Sequence, residues 1–208
     1  KGETISRKDI YFAFPPSQNQ FTANDYSKYS TFSAKENIEL DEAISHDNTN
    51  ITKLRSILEG ITKKINKLIT EANVHLPPTI EMEISHHYGL DKFYKFGMAI
   101  FTLVNRTYCK KLLVSLPGQI HPAQFHKKKE ESFRLIYGDL TLTIDGKDLN
   151  MELGEIITIE KGVVHQFTSL KGSVIEEISD THHMNDSFYI DDKITQNTNR
   201  KTIVNFYK

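Results

Sequence analysis

Residue types that bind divalent metals are spaced between positions 118 and 165 so that one site could use them. Gln124 and His126 are two residues apart, so their side chains would share one face of a β-strand. Glu131 follows a lysine run, and His165 stands behind a later glycine turn. Imidazole nitrogens and one carboxylate suit a divalent transition metal such as Mn, Fe, Ni, Zn or Co. A small β-barrel that brings these segments together in its mouth would form such a site.

These spacings resemble the two sequence motifs of the cupin superfamily. The first motif is matched by Gly118, Gln124, His126, Glu131 and Gly138, and the second by Gly154, Gly162 and His165. The resemblance implies a mainly β fold, namely a cupin β-barrel of the jelly-roll type, that binds a divalent transition metal (Mn, Zn, Fe or Ni). The implied ligands are Gln124, His126, Glu131 and His165. Gln124 departs from the motif, which usually has histidine there, and an amide oxygen is a weaker and harder ligand than imidazole.

Two kinds of side chain could act on a bound substrate. Strand alternation within residues 172–179 places Glu176 and Glu177 on opposite faces, and a carboxylate that points into an apolar barrel has a raised pKa. Either glutamate could therefore be a general acid or base, or could face solvent. Lys129 could hold an anionic substrate at the pocket mouth, or could be a solvated member of the run 127–129.

The run His-x-x-Lys-x-Glu, present as His126, Lys129 and Glu131, resembles that of cupin sugar isomerases such as lyxose isomerase. This resemblance implies aldose–ketose isomerisation, in which a metal holds adjacent sugar oxygens as a Lewis acid. Glu177 or Glu176 would move a proton between C1 and C2 of the sugar.

Longer segments resemble the C-terminal region of bacterial N-acetylneuraminate (sialic acid) synthases. Residues 1–10 and 37–44 are similar to the opening and closing of their small antifreeze-like (SAF) domain. Similarity to an appended cupin domain covers residues 84–90, 105–111, 116–122, 176–179 and 185–189. The resemblance implies an accessory part of a nonulosonic acid synthase that binds a metal and a sugar or sugar acid. Its partner would be the synthase catalytic barrel, without which this part should not catalyse the condensation.

The predicted domains are separated by one amphipathic helix. Apolar residues recur at the i, i+3, i+4 spacing from Ile51 to Ala72, with Asn50 as a plausible N-cap. We therefore predict an SAF β domain at residues 1–48, a linking helix at 49–76 and a cupin barrel at 77–208. The apolar stripe of the helix favours a seam between domains or between the subunits of a homodimer.

Shorter patterns fill in the barrel and the N-terminal region. Residues 10–14 are predicted to form a strand that prolines end, and residues 105–111 form a polar stretch between two apolar strands. Asp145-Gly146 is typical of a tight hairpin turn.

The remaining histidines and the cysteine receive no catalytic role from the sequence. His121 is out of step with His126, which favours a rim or structural position, although a bulge could make it a replacement ligand. His86 and His87 point opposite ways on a strand, which favours a packed or surface pair. Cys109 is expected to be a quiet core or turn residue.

Composition narrows the class of protein. The 208 residues carry a formal net charge of -1, which gives no reason to expect binding to nucleic acid or an anionic membrane. The single cysteine excludes an internal disulfide and suits a reducing cytoplasm, and no apolar run is long enough to span a bilayer. Because the chain opens on Lys1 rather than methionine, we expect a fragment of a longer protein.

Three functions remain compatible with the sequence, and whether the chain is an enzyme stays open among them. They are an accessory sugar-binding cupin of a synthase, a metal-dependent sugar isomerase, and a metal-free dimerisation module. Gln124 mildly favours the first or the third. The presence of His126, Lys129, Glu131 and His165 together argues against the third.

Overall fold

A computed structural model describes residues 1–26 and 29–206. The chain forms two compact units, Lys1–Thr62 and Lys63–Lys208. No helix within the described residues is long and apolar enough to cross a membrane.

The first unit contains a small antiparallel sheet with the strand order β1-β2-β3. Its strands are β1 (Thr4–Ile5), β2 (Ser30–Ala34) and β3 (Thr49–Lys53), and a 3-10 turn covers Arg7–Asp9. Phe21 and Phe32 pack edge to face in its core, with ring centroids 5.3 Å apart. The strand predicted at residues 10–14 does not form: the segment pairs with none of the three strands, and Phe14 is 94% exposed.

Helix α1 (Leu54–Glu71) begins later than predicted. Residues 49–53, assigned to the helix from the sequence, form β3 and pair with β2 in full register. Thr49, Ile51 and Thr52 are β-branched, which favours this extended conformation. Beyond the helix, Asn73 adopts a left-handed conformation (φ 52°) and Val74 N donates to Ile69 O, which closes the last turn. The predicted domain ranges as a whole stay predictions.

The second unit consists of two antiparallel sheets. The five-stranded sheet has the order β10-β9-β12-β7-β14, formed by β7 (Ile120–Phe125), β9 (Leu140–Ile144), β10 (Lys147–Met151), β12 (His165–Thr168) and β14 (Phe188–Tyr189). The seven-stranded sheet has the order β11-β8-β13-β6-β5-β4-β15, formed by β4 (Ile80–His86), β5 (Gly97–Asn105), β6 (Tyr108–Ser115), β8 (Glu131–Gly138), β11 (Ile156–Ile159), β13 (Ser173–Asp180) and β15 (Lys201–Phe206). Short helices are α2 (Phe93–Phe96) and α3 (Asp192–Gln196), with a 3-10 turn at Leu90–Lys92.

One apolar core joins the two sheets. The five-stranded sheet contributes Leu140, Leu142, Met151 and Phe167, and the seven-stranded sheet contributes Met98, Leu113, Phe133, Leu135, Ile159 and Ile175. Alternate residues of each strand thus face inward and bury apolar surface, which is the main stabilising term. The mainly β, jelly-roll architecture predicted from the sequence is confirmed.

Two tight turns fix the ends of neighbouring strands. Asp145 and Gly146 have φ values of 45° and 78°, as a two-residue hairpin between β9 and β10 requires, so this prediction is confirmed. Gly138, at the end of β8, has φ 84°, and an added Cβ atom would lie 1.8 Å from the carbonyl oxygen of Gly172. Only glycine fits this position without a backbone shift.

The polar stretch 105–111 is mostly strand rather than a connection. β5 ends at Asn105 and β6 begins at Tyr108, so only Arg106 and Thr107 lie between them. Cys109 is therefore a buried strand residue, as a quiet core position requires. Lys111 is also in the strand and only 5% exposed, which the polar character of the segment did not indicate.

Candidate active site

Three buried side chains meet where the two sheets of the second unit come together. His126 directly follows β7, Glu131 begins β8 and His165 begins β12. One ligand atom from each lies within 4.8 Å of the others. Nε2 of His126 and Nε2 of His165 are 3.2 and 3.3 Å from Oε2 of Glu131. The structure therefore brings together three of the four predicted metal ligands.

The hydrogen bonds of the two imidazoles orient their free nitrogens toward this point. Nδ1 of His126 lies 2.5 Å from the carbonyl oxygen of Asp186, and Nδ1 of His165 lies 3.1 Å from that of Val163. A carbonyl oxygen only accepts, so each Nδ1 carries a hydrogen and Nε2 is the nitrogen left to offer a lone pair to a metal.

The three convergent atoms have no hydrogen-bond partner among the described residues. Both Nε2 atoms and Oε2 of Glu131 are buried, and their mutual contacts lack hydrogen-bond geometry. Buried lone pairs on two nitrogens and one carboxylate oxygen fit the donor set of a divalent transition metal.

Asp186 fixes the segment that carries His126. Its buried carboxylate accepts hydrogen bonds from the backbone N–H groups of Lys127 and Lys128, at 3.0 to 3.1 Å, while its carbonyl accepts from His126. Sequence reasoning missed this role. Asp186 is 60 positions from His126, so no local pattern indicates the contact.

Gln124, the fourth predicted ligand, lies beside the cluster. Its backbone pairs with His165 on one side and with Tyr189 on the other. The side chain lines the pocket, and Oε1 is buried without a hydrogen-bond partner among the described residues. A role for Gln124 as a ligand stays a prediction.

A charged cluster adjoins the His–Glu–His group. Oε1 of Glu177 is 3.1 Å from Nζ of Lys111 and 3.0 Å from Nζ of Lys129, and it accepts a third hydrogen bond from Ser179 at 3.2 Å. Lys129 also pairs with Glu131. Burial alone would lower the pKa of Lys129, but the two carboxylates outweigh it and raise that pKa, so this lysine stays charged.

Of the two candidate glutamates, only Glu177 reaches the pocket. Glu176 points to the other face of β13, where it pairs with Lys110 at 2.7 Å and with Arg134 at 3.6 Å. The sequence prediction of an acid–base role for Glu176 is therefore set aside, because strand alternation turns its carboxylate away from the site.

Several pocket residues were not predicted from the sequence. His121, predicted at the pocket rim or in a structural position, is buried and lines the pocket. His87 packs in the interior, as expected of one member of a packed pair. Lys111, His182 and Tyr189 also line the pocket. Burial, and then the charges of Lys111 and Lys129, lower the pKa of His182 to about 3, so its ring is neutral. Period-two alternation within residues 105–111 was the sequence signal that could have indicated a strand with Lys111 on its inward face.

Comparisons with known proteins agree with this picture. Residues 112–175 match the family model of the cupin domain. A D-lyxose/D-mannose isomerase of Thermosediminibacter oceani is 25% identical over 170 residues, which cover 67% of this chain and 94% of that protein. A D-lyxose ketol-isomerase of a Thermofilum species is 28% identical over 121 residues, or 44% of this chain and 67% of that protein.

Solved structures show the same architecture. The crystal structure of an L-ribose isomerase from Acinetobacter in complex with L-ribose superimposes with a TM-score of 0.57 and 14% identity, covering 70% of this chain and 95% of that one. An L-ribose isomerase of Geodermatophilus obscurus gives a TM-score of 0.57 and 13% identity, with 68% and 94% covered. None of these findings supports the resemblance to sialic acid synthases or to their SAF domain. The match to the cupin domain model over residues 112–175 agrees with the jelly-roll fold that the two motifs predicted.

Proposed function

We propose that this protein is a metal-dependent aldose–ketose isomerase. The observation that carries the proposal is the buried His126–Glu131–His165 cluster, which Lys129 connects to the carboxylate of Glu177 through ion pairs with both glutamates. The relatives named above, which are isomerases of lyxose, mannose and ribose, support a small neutral aldose as substrate.

The metal would be held by His126, Glu131 and His165, with Gln124 as a possible fourth ligand. Mn, Zn, Fe and Ni all accept this mixture of imidazole and carboxylate. When bound, the metal would supply Lewis acidity toward the carbonyl oxygen and the adjacent hydroxyl oxygen of the sugar.

Glu177 is the proposed base for the carbon-bound proton. Its Oε1 is held by Lys111, Lys129 and Ser179, whereas no hydrogen bond to Oε2 is found in the described part of the chain. Oε2 could therefore take the proton from C2 of the aldose and return it to C1. The net change moves one hydrogen from C2 to C1 and one from O2 to O1.

Lys129 and Lys111 would stabilise the intermediate electrostatically. Both ammonium groups are buried and fixed by Glu177 before any sugar arrives. Negative charge grows on the sugar oxygens as the C2 proton leaves, and preorganised positive groups in a buried site stabilise such charge. The same arrangement argues against a purely structural module, because buried lysine–glutamate pairs contribute little to net stability.

A homodimer and an association with a synthase barrel stay predictions.

The deciding experiment measures metal and turnover together. Protein purified without chelator or nickel affinity resin should contain about one transition metal per chain, and the His126→Ala/His165→Ala variant should contain none. Wild type loaded with Mn, Zn, Fe or Ni should convert D-lyxose, D-mannose or L-ribose to the corresponding 2-ketose. A wild type that takes up no metal, or a loaded protein that converts no aldose, would contradict the proposal.

A further inference from the structure

A row of three side chains crosses the five-stranded sheet at the site. Gln124 on β7 lies directly opposite His165 on β12 and directly opposite Tyr189 on β14. Directly opposed residues of antiparallel strands have side chains on the same face. Neighbouring strands are about 4.8 Å apart, so His165 and Tyr189 are separated by roughly 10 Å. This span is comparable to the length of an open-chain pentose or hexose whose reacting end lies at His165.

His87 determines how the Tyr189 hydroxyl can form hydrogen bonds. Nδ1 of His87 lies 2.5 Å from the carbonyl oxygen of Phe96, so this nitrogen carries the hydrogen. Burial lowers the pKa of His87 to about 4, which keeps the ring neutral and leaves Nε2 as an acceptor.

Oη of Tyr189 lies 3.1 Å from this nitrogen and therefore donates its hydrogen to it. Ser85 Oγ is farther from the same atom, at 3.4 Å. Burial raises the pKa of Tyr189, so the phenol retains its hydrogen. The remaining hydrogen-bonding capacity of Oη is that of an acceptor.

The guanidinium of Arg200 lies over the ring of Tyr189, 5.0 Å from its centroid, and two uncharged side chains on the same wall lack partners. His121 is T-shaped against His87, with ring centroids 4.7 Å apart, and burial holds its pKa well below the usual range. Within the described residues, neither His121 Nδ1 nor Gln124 Oε1 has a hydrogen-bond partner. Buried polar groups normally have partners, so a bound ligand with several hydroxyl groups would complete them.

We propose that Tyr189, positioned by His87, accepts a hydrogen bond from a sugar hydroxyl remote from C1 and C2. The inference rests on the proposed function for the nature of the ligand. Tyr189 is a binding residue here, and His87 is a positioning residue.

The test uses calorimetry to measure the affinity of the metal-loaded protein for D-lyxose and its analogues. One set of analogues lacks a single hydroxyl at C3, C4 or C5, and the other carries fluorine there, which accepts but cannot donate. We expect one deoxy analogue to bind wild type about tenfold more weakly than D-lyxose, as loss of one hydrogen bond implies. Its fluoro counterpart should bind equally weakly, because Tyr189 has no hydrogen to offer.

Variants separate the tyrosine from the rest of the pocket. Tyr189→Phe should bind D-lyxose about tenfold more weakly and should no longer distinguish it from that deoxy analogue. Tyr88→Phe is the matched control, because the Tyr88 hydroxyl donates to Asp191 at 2.7 Å and does not line the pocket. His87→Leu, once shown to be folded, should release the Tyr189 hydrogen and restore tight binding of the fluoro analogue.

The outcomes distinguish this inference from the isomerase proposal. A wild type that binds D-lyxose with the expected pattern but does not convert it would overturn only the isomerase. Turnover with unchanged affinity in Tyr189→Phe, or a fluoro analogue that binds wild type better than the deoxy one, would overturn only the role of Tyr189. Failure of wild type to bind any neutral aldose would overturn the inference as well.

Discussion

Glu176 and Glu177 are adjacent on one strand, but their surroundings are opposite. Glu177 is buried between two lysines at the pocket, whereas Glu176 pairs with Lys110 and Arg134 on the outer face. The same substitution, glutamate to glutamine, can therefore be made at both positions, and only the one at Glu177 removes a carboxylate from the pocket.

We expect Glu177→Gln to lower kcat about a thousandfold, because an amide cannot accept the C2 proton. Glu176→Gln should retain kcat within about threefold. Steady-state kinetics at equal metal content would measure both. Equal losses in the two variants would show that Glu177 has no special part in the proton transfer.

Single residues were predictable where the chemistry is local in sequence. Gly118 to Glu131 forms one short motif, so the spacing of His126 and Glu131 is visible without the fold. Lys111 was not predictable in this way, because its partner Glu177 is 66 positions away and only the pairing of β6 with β13 brings them together. Tyr189 was missed for the same reason, since its contact with His87 joins residues that are 102 positions apart.

At the level of elements, Asp186 fixes the turn between β7 and β8 through hydrogen bonds to its backbone. A buried carboxylate that accepts several backbone N–H groups replaces hydrogen bonds that the turn cannot make internally. The same residue accepts the Nδ1 hydrogen of His126 through its carbonyl oxygen. One residue therefore holds the end of β7, the turn that follows it and the ring of His126.

Asp186→Ala should weaken metal binding about 10- to 100-fold, since His126 loses the support that orients it. Asp139→Ala is the matched control. The Asp139 carboxylate accepts hydrogen bonds from the N–H groups of Leu170 at 2.9 Å and Lys171 at 2.6 Å, and neither residue belongs to the His126–Glu131–His165 cluster. Competition with a calibrated chelator would measure both affinities. A similar loss in the two variants would indicate general destabilisation instead of a specific effect on His126.

Gly138 and Gly154 allow backbone strain to be separated from steric contact. Both have positive φ values, 84° and 83°, but an added Cβ atom would meet Gly172 O only at Gly138. Gly154→Ala should cost about 1–2 kcal/mol of unfolding free energy from φ alone. Gly138→Ala should cost roughly 2 kcal/mol more because of the overlap. Urea denaturation would show the difference, and equal costs would mean that the β8 turn can shift freely.

Elements were predictable where one pattern dominated. The Asp-Gly hairpin and the strands of the barrel follow from local signals. The start of α1 could not be predicted from local signals, because Ile51 fits both the helical periodicity and the strand that pairs with β2. Residues 10–14 have a strand-like composition, but no neighbouring edge pairs with them.

Across the second unit as a whole, buried neutral histidines make stability depend on pH. The pKa of His87 falls from 6.5 to about 4 on folding, and that of His182 falls to about 3. The unfolded state therefore binds more protons than the folded state below pH 6.5, so stability increases with pH in this range. The stabilisation is complete above pH 6.5 and is lost as the pH falls toward 4.

Denaturation of the metal-free protein at a series of pH values should show this acid-side decline. His87→Gln should reduce the slope between pH 6.5 and about 4, because the variant lacks one of the groups that protonate on unfolding. His75→Gln, which alters an exposed histidine, should leave the slope unchanged. An undiminished slope in His87→Gln would show that other groups account for the acid sensitivity.

The three side chains proposed to bind the metal come from both sheets: His126 and His165 border the five-stranded sheet, and Glu131 begins a strand of the seven-stranded one. A cation held by all three would thus be a non-covalent cross-link through the centre of the jelly roll. At a free metal concentration 100-fold above the dissociation constant, such a link would add about 2.7 kcal/mol to the unfolding free energy. The melting temperature of this protein should therefore report metal occupancy directly, and chelators should act on it as denaturants.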